Sequence, residues 1–309
     1  MIWSAFLLDL LLGDPRWLPH PIRGIGLAIT RLESRIRSYA HEARALMLGG
    51  CLLTLCIVAG TFLASWLVLS LFYWMDRWLG VFVAVYLAYT AIAVRDLYKQ
   101  SWAVIKALRS DDLEGARFLL SRVVGRDTEE LEPEEIIRAV IETVAENFSD
   151  GVAAPLFYMA LAGVPGAMAY KAASTLDSMV GYRNERYAHL GWCSARLDDV
   201  LNFIPARLSA LLIVAAAFLL RLDARNAWRI FLRDGGNHKS PNSGRPEAAM
   251  AGALGVQLGG PSRYEGIIVE KPRIGDPLEE FSIPRVLEAE QVMFIASVLM
   301  VTLTSLIRI

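Results

Sequence analysis

Between Ala45 and Met75 the chain reads ALMLGGCLLTLCIVAGTFLASWLVLSLFYWM and carries no charged side chain. A helix of about 20 apolar residues crosses a hydrocarbon core, so this run predicts a membrane span. It follows the basic stretch RLESRIRSYAHEAR, and it lies too far from the start and is too long for a cleaved secretory signal. Further apolar stretches at 79–94, 151–170, 200–220 and 291–307 are shorter or interrupted. Pro155, Gly163, Pro165 and Gly166 in 151–170, and Pro205 with Arg207 in 200–220, predict broken or re-entrant helices buried in protein. The opening MIWSAFLLDLLLG is short and contains Asp9, which fits a half-inserted or buried helix. The expectation is an all-α, polytopic membrane helix bundle of four or five spans with cytoplasmic helical loops, forming one domain over 1–309.

Lys and Arg number six in 16–44, eight in 95–138 and ten in 221–285, with only Arg77 between the first two spans. Cytoplasmic loops collect basic residues near span ends. The three rich segments are therefore expected inside, and the inner membrane is the expected location. Residues 171–207 carry five more, and strict alternation would place them outside. Re-entrant helices resolve that conflict.

Composition agrees: 55% of residues are hydrophobic and mean hydropathy is positive. A net charge of −1 gives no reason to expect nucleic acid as a partner, and the basic loops fit topology and anionic lipid. Cys51 and Cys56 fall in the first span and Cys193 stands alone, so neither a disulfide nor a zinc site is expected.

The segment 95–150 reads as helical, and DTEELEPEEIIRAVIETVAENF puts acids and Pro133 where a helix start favours them. If that helix persists, Glu142, Glu146 and Asp150 recur every four residues and form one acidic ridge. A solvated face balanced by nearby Arg explains such a ridge; so does Mg²⁺ or Mg-nucleotide binding, since Mg²⁺ takes a few carboxylate oxygens and keeps waters and phosphates. Asn147 lies on the same turn of chain.

Other polar clusters lie against apolar segments, where charge usually lines a cavity or site. DPRWLPHP holds Asp14, Arg16 and His20; STLDSMVGYRNERY holds Asp177, Ser178 and Arg183; SARLDDVLNFIPAR holds Arg196, Asp198, Asp199, Asn202 and Arg207. Each has a structural explanation too: Asp14 shaping a turn before Pro15, His20 as a packing residue, Asp198 paired with Arg196 or Arg207. In NHKSPNSGRPEAAMAGALGVQLGG, a turn over Ser240, Asn242 and Gly244, preceded by His238, enters a small-residue helix. Free amides at a helix start suit phosphate, although no P-loop or GxGxxG spacing occurs.

These blocks, in this order and over nearly the whole chain, resemble the adenosylcobinamide-phosphate synthases of cobalamin biosynthesis, the CbiB/CobD type. LLDLLLGDPRWLPHPIRGIG, ETVAENFSDGVAAPLFY, TLDSMVGYRNERY, GWCSARLDDVLNFIPARL and SPNSGRPEAAMAGALGVQLGG carry the resemblance. Ser174 departs from an expected Asn, and 96–134 carries little signal. The resemblance implies ATP- and Mg²⁺-dependent amide formation between adenosylcobyric acid and (R)-1-amino-2-propanol O-phosphate or a related amino-alcohol phosphate, with no tightly bound prosthetic group. Filling the parts of that chemistry from the clusters, Glu142, Glu146 and Asp150 would hold Mg-ATP, with Asp177, Asp198 and Asp199 as further ligands or base. Arg16, Arg183, Arg196 and Arg207 would clamp phosphates, and the Ser240–Gly244 turn with His238 would hold the amino-alcohol phosphate. Membrane lipid and other nucleotide-loop assembly enzymes are the remaining expected partners. A transporter or a non-catalytic membrane sensor of the same superfamily are the alternatives from other classes.

Overall fold

The computed structural model describes Met1–Ile307 apart from Arg16, Arg183 and Glu265. The expectations placed on Arg16 and Arg183 lie outside the described residues. Helices dominate. In chain order they are α1 (Ile2–Leu12), α2 (Pro21–Tyr39), α3 (Ala43–Met75), α4 (Arg77–Ala91), α5 (Val94–Arg109), α6 (Leu113–Ser121) and α7 (Pro133–Phe148). A π-helical turn, Ser149–Ala153, leads into α8 (Ala154–Val180), followed by α9 (Trp192–Leu201), α10 (Phe203–Leu219), α11 (Ala224–Asp234) and α12 (Gly244–Leu254). A two-stranded hairpin, β1 (Ser262–Tyr264) and β2 (Ile267–Val269), precedes α13 (Ile283–Ile307).

Among the described residues four helical runs are long and apolar enough to cross a membrane: Ala43–Met75, Arg77–Arg109, Pro133–Val180 and Ile283–Ile307. The α9–α10 pair, bent by 44°, makes a fifth if it is one span. The protein is thus a multi-pass, all-helical membrane protein with four or five spans, and α1 is a shorter apolar helix. Leu48, Leu52, Leu55, Leu67 and Leu71 on α3 are exposed, which lipid accounts for and water does not. Trp74 and Trp78, among the most exposed side chains, flank the α3–α4 corner as an interfacial aromatic belt does. Asp76 caps α4 there, accepting from the backbone N–H of Trp78 (2.8 Å) and Leu79 (2.9 Å).

The interruptions expected from Pro and Gly occur. Inside α8 the helix breaks at Ala162 and Gly163, whose φ of 71° favours glycine. Pro165 follows in the first turn of the resumed helix, where its missing N–H does no harm. The second break falls at Asn202, just ahead of Pro205. The 95–150 stretch is helical, in three helices, and α7 passes at Phe148 into the π turn. The i+4 spacing from Glu146 to Asp150 is therefore not an α-helical ridge, because a π turn adds a residue per turn.

Contacts divide the chain into two compact units. The first comprises Met1–Ala93, Ala154–Asn202 and Leu303–Ile309. Its core joins Ile29, Leu53, Ile57, Leu176 and Val180. The second comprises Val94–Ala153 and Phe203–Thr302, with α12 packed against α7, α10 and α11. Asn226 of α11 donates from its side chain to the Gly252 carbonyl (2.9 Å). A Cβ on Gly252 would lie 2.6 Å from the Asn226 carbonyl oxygen, so this approach of α11 to α12 requires the small residue.

Candidate functional site

The second unit gathers the ENF and SPN motifs. Pro133 opens α7, and Glu135 accepts from the Glu132 backbone N–H (3.0 Å), fixing the phase that sends Glu142 inward. Glu142 is buried. One of its oxygens takes a hydrogen bond from Arg126, and the other accepts from the Gly259 N–H at 2.8 Å. Burial alone would lower the Arg126 pKa, but Glu142 more than offsets it, so the guanidinium stands above its ordinary value.

One turn later, Glu146 accepts from the Ser243 hydroxyl (2.8 Å). Ser243 belongs to the turn ahead of α12. There the Ser240 hydroxyl oxygen accepts from the backbone N–H of Asn242 (3.2 Å) and Ser243 (3.3 Å). The Ser240 N–H in turn donates to His238 Nδ1 (3.0 Å). That bond requires Nδ1 to be unprotonated, leaving Nε2–H as the donor of neutral His238. Burial lowers the His238 pKa, with Glu146 opposing and Lys271 adding to the fall. A Cβ on Gly244 would meet the His238 Cβ at 2.6 Å, so the turn closes only over glycine.

Glu247, one turn into α12, completes the cluster. It is buried, and its pKa is raised well above the carboxylate range, first by burial and then by the Glu142 and Glu146 charges. Lys271 and Arg126 oppose this rise. Glu247 therefore shares a desolvated region with two other carboxyl groups, whose charges oppose its own ionisation.

The sequence reading missed Arg126, Glu247 and Lys271. A lone Glu in the small apolar run GRPEAAMAGAL was the signal for Glu247; nothing in the 96–134 stretch singled out Arg126. The expected metal trio does not assemble. Glu142 is engaged on both oxygens, Asp150 lies half-buried in the π turn beyond α7, and among the described residues no three His, Cys, Asp or Glu side chains converge as metal ligands. Mg²⁺ carried with nucleotide phosphates asks for only one or two carboxylates. Glu146 and Glu247, where added positive charge would be stabilising, fit that lesser demand.

Of the other expected residues in this unit, Asn147 is half-buried on α7, and Arg207 donates to the Phe203 carbonyl (2.6 Å) while lying over its ring. The remainder fall in the first unit. Asp14 accepts from Arg23 (2.9 Å), with His20 Nε2 3.8 Å from the same oxygen. Tyr89 and Tyr86 of α4 donate to the Gly13 and Pro19 carbonyls, tying down both ends of that loop. Tyr170 donates to Asn202 Oδ1 (2.8 Å), whose Nδ2 donates to Asp198 (2.9 Å). Asp199 lies 3.8 Å from the exposed Arg196. The Ser178 hydroxyl donates to the Ser174 carbonyl, and the Asp177 carbonyl accepts from Gly181 N–H.

Fold and site together define a polytopic helical membrane protein whose second unit holds a carboxyl, arginine and histidine cluster. The chain belongs to the CobD/CbiB family: the family model described as "CobD/Cbib protein" matches residues 2–293. It is 54% identical over 279 residues to "Cobalamin biosynthesis protein CobD" of Geobacter metallireducens, covering 90% of this chain and 87% of that one. It is 48% identical over 299 residues to "Cobalamin biosynthesis protein CbiB" of Salmonella arizonae, covering 97% and 94%. The CobD of Klebsiella pneumoniae gives the same identity and coverage. No solved structure matches.

Proposed function

We propose that this chain acts in cobalamin biosynthesis, joining the free propionate carboxylate of adenosylcobyric acid to the amine of (R)-1-amino-2-propanol O-phosphate, or a related amino-alcohol phosphate, with cleavage of ATP. The names of its relatives support the pathway, and the motifs that carry the family resemblance support the reaction. The observation that carries the reading is the convergence of ETVAENF and SPNSGRPE on one cluster, in which Glu146 meets Ser243 and Glu247 feels both α7 carboxylates. We place the reaction at the cytoplasmic face of the inner membrane, where the basic loops are expected.

A carboxylate is a poor acyl donor. Its oxygen attacks the γ-phosphorus of ATP, ADP leaves, and an acyl phosphate forms. The amine nitrogen then attacks the acyl carbon, the tetrahedral oxyanion collapses, and phosphate departs while the nitrogen passes its proton to a base. Glu146 and Glu247 would hold Mg²⁺, which when bound neutralises phosphate charge. Arg126 and Lys271 add cationic charge beside them, and the Nε2–H of His238, held beside the Ser240–Gly244 turn, donates to the amino-alcohol phosphate. Asp150, in the same unit as these groups, is the candidate for the base.

Phosphate release by the purified protein tests this scheme. It should require the corrinoid acid and the amine together, and fall at least about 100-fold in Glu146→Gln. Release that ignores the corrinoid would contradict it.

A further inference from the structure

Beside the carboxyl cluster, the second unit holds a cleft of about 920 Å³ between the 114–135 stretch and the hairpin. Two apolar side chains from separate elements line it in the open: Phe118 of α6, 66% exposed, and Ile268 of β2, 61% exposed. Charges of both signs accompany them, with Arg117 and Arg263 among Glu114, Glu129, Glu130 and Glu135. The cleft is braced. Asp127 N–H donates to the Arg263 carbonyl (2.8 Å), Gly266 N–H donates to Asp127 (2.8 Å), and Arg263 pairs with Glu130. Arg126 also lines the cleft, while its guanidinium holds Glu142. That one buried side chain joins the cleft to the cluster.

Acids outnumber bases along this lining, which opposes a polyanion such as a nucleotide. The combination suits a large ligand with a flat apolar body and a fringe of primary amides. The body covers Phe118 and Ile268, the amide N–H groups meet the carboxylates, and the amide carbonyls meet the arginines. We propose that this cleft receives the corrin ring of the corrinoid substrate. The assignment rests on the proposed function and adds where the macrocycle sits.

Binding of adenosylcobyric acid to the detergent-solubilised full chain, measured by equilibrium dialysis through corrinoid absorbance, tests it. Phe118→Lys and Ile268→Lys change exposed side chains, and Leu278→Lys, equally exposed but outside this cleft, is the control. The expected result is binding about 10-fold or more weaker in the two cleft variants and unchanged in the control. If wild type binds and both cleft variants bind equally well, the cleft assignment is overturned while the proposed function stands. If the folded wild type binds no corrinoid, the function itself fails, and the assignment with it.

Discussion

Arg126 and Glu142 form an ion pair in which both side chains are less than a tenth exposed. The pair links a loop with no fold signature of its own to the middle of α7, and the Gly259 N–H completes the carboxylate's hydrogen bonding. Desolvation makes such a pair a weak source of net stability, yet removing one partner strands the other charge.

Arg126→Ala should therefore destabilise the protein by about 3–5 kcal/mol, read as a lowered denaturation midpoint in detergent. Arg126→Met combined with Glu142→Gln should recover most of that loss, because no buried charge is left unpaired. Activity should not return with stability in the double variant. A double variant as unstable as Arg126→Ala would show that the pair does more than cancel charge.

Gly259 has φ +78°, and a Cβ there would lie 2.1 Å from the Pro272 carbonyl oxygen. Gly259→Ala should cost about 1–3 kcal/mol through strain and pull the N–H from Glu142. Thermal melting compared with Gly60→Ala, where nothing lies within 4 Å of the added Cβ, checks this.

Glu247 gives a stability change of opposite sign. Its folded-state pKa is raised, so the unfolded chain releases a proton from about 4.5 upward while the folded chain keeps it. Stability thus falls as pH rises from there through the folded-state pKa. Glu247→Gln should melt roughly 2 °C or more higher at pH 7.5, gain less near pH 4.5, and lose the stabilisation that Mg-ATP gives wild type. A variant stabilised by Mg-ATP as strongly as wild type would remove Glu247 from the metal role.

His238 titrates the other way. Its folded-state pKa is depressed, so below about 6.5 the unfolded chain takes up a proton that the folded chain refuses. The His238 contribution is full above pH 6.5 and is lost as pH falls from there through the lower folded-state pKa. Melting temperature followed from pH 8 to 5.5 should drop less steeply in His238→Gln than in wild type.

Much of this was legible in the sequence. The charge-free run gave α3, Pro133 with its acids gave the start of α7, and Gly163 and the Asn202–Pro205 region gave the two breaks. The turn entering α12 at Gly244 was also legible, with its glycine explained by contact with His238. The π turn was not, because a one-residue change in winding depends on packing, and the i+4 pattern of Glu142, Glu146 and Asp150 continues through it unbroken. Arg126 escaped because its partner lies 16 residues away along the chain. The hairpin offered a signal that went unused: Gly266, φ 79°, stands in a two-residue connection between Tyr264 and Ile267.

The central claim is amide formation. Purified protein incubated with adenosylcobyric acid, aminopropanol phosphate and Mg-ATP, with the corrinoid followed by mass spectrometry, tests it most directly. The account predicts a mass gain equal to the amine less one water, dependent on ATP and lost in Glu146→Gln. No mass gain with folded, corrinoid-binding protein, across several amino-alcohol phosphates, would contradict it.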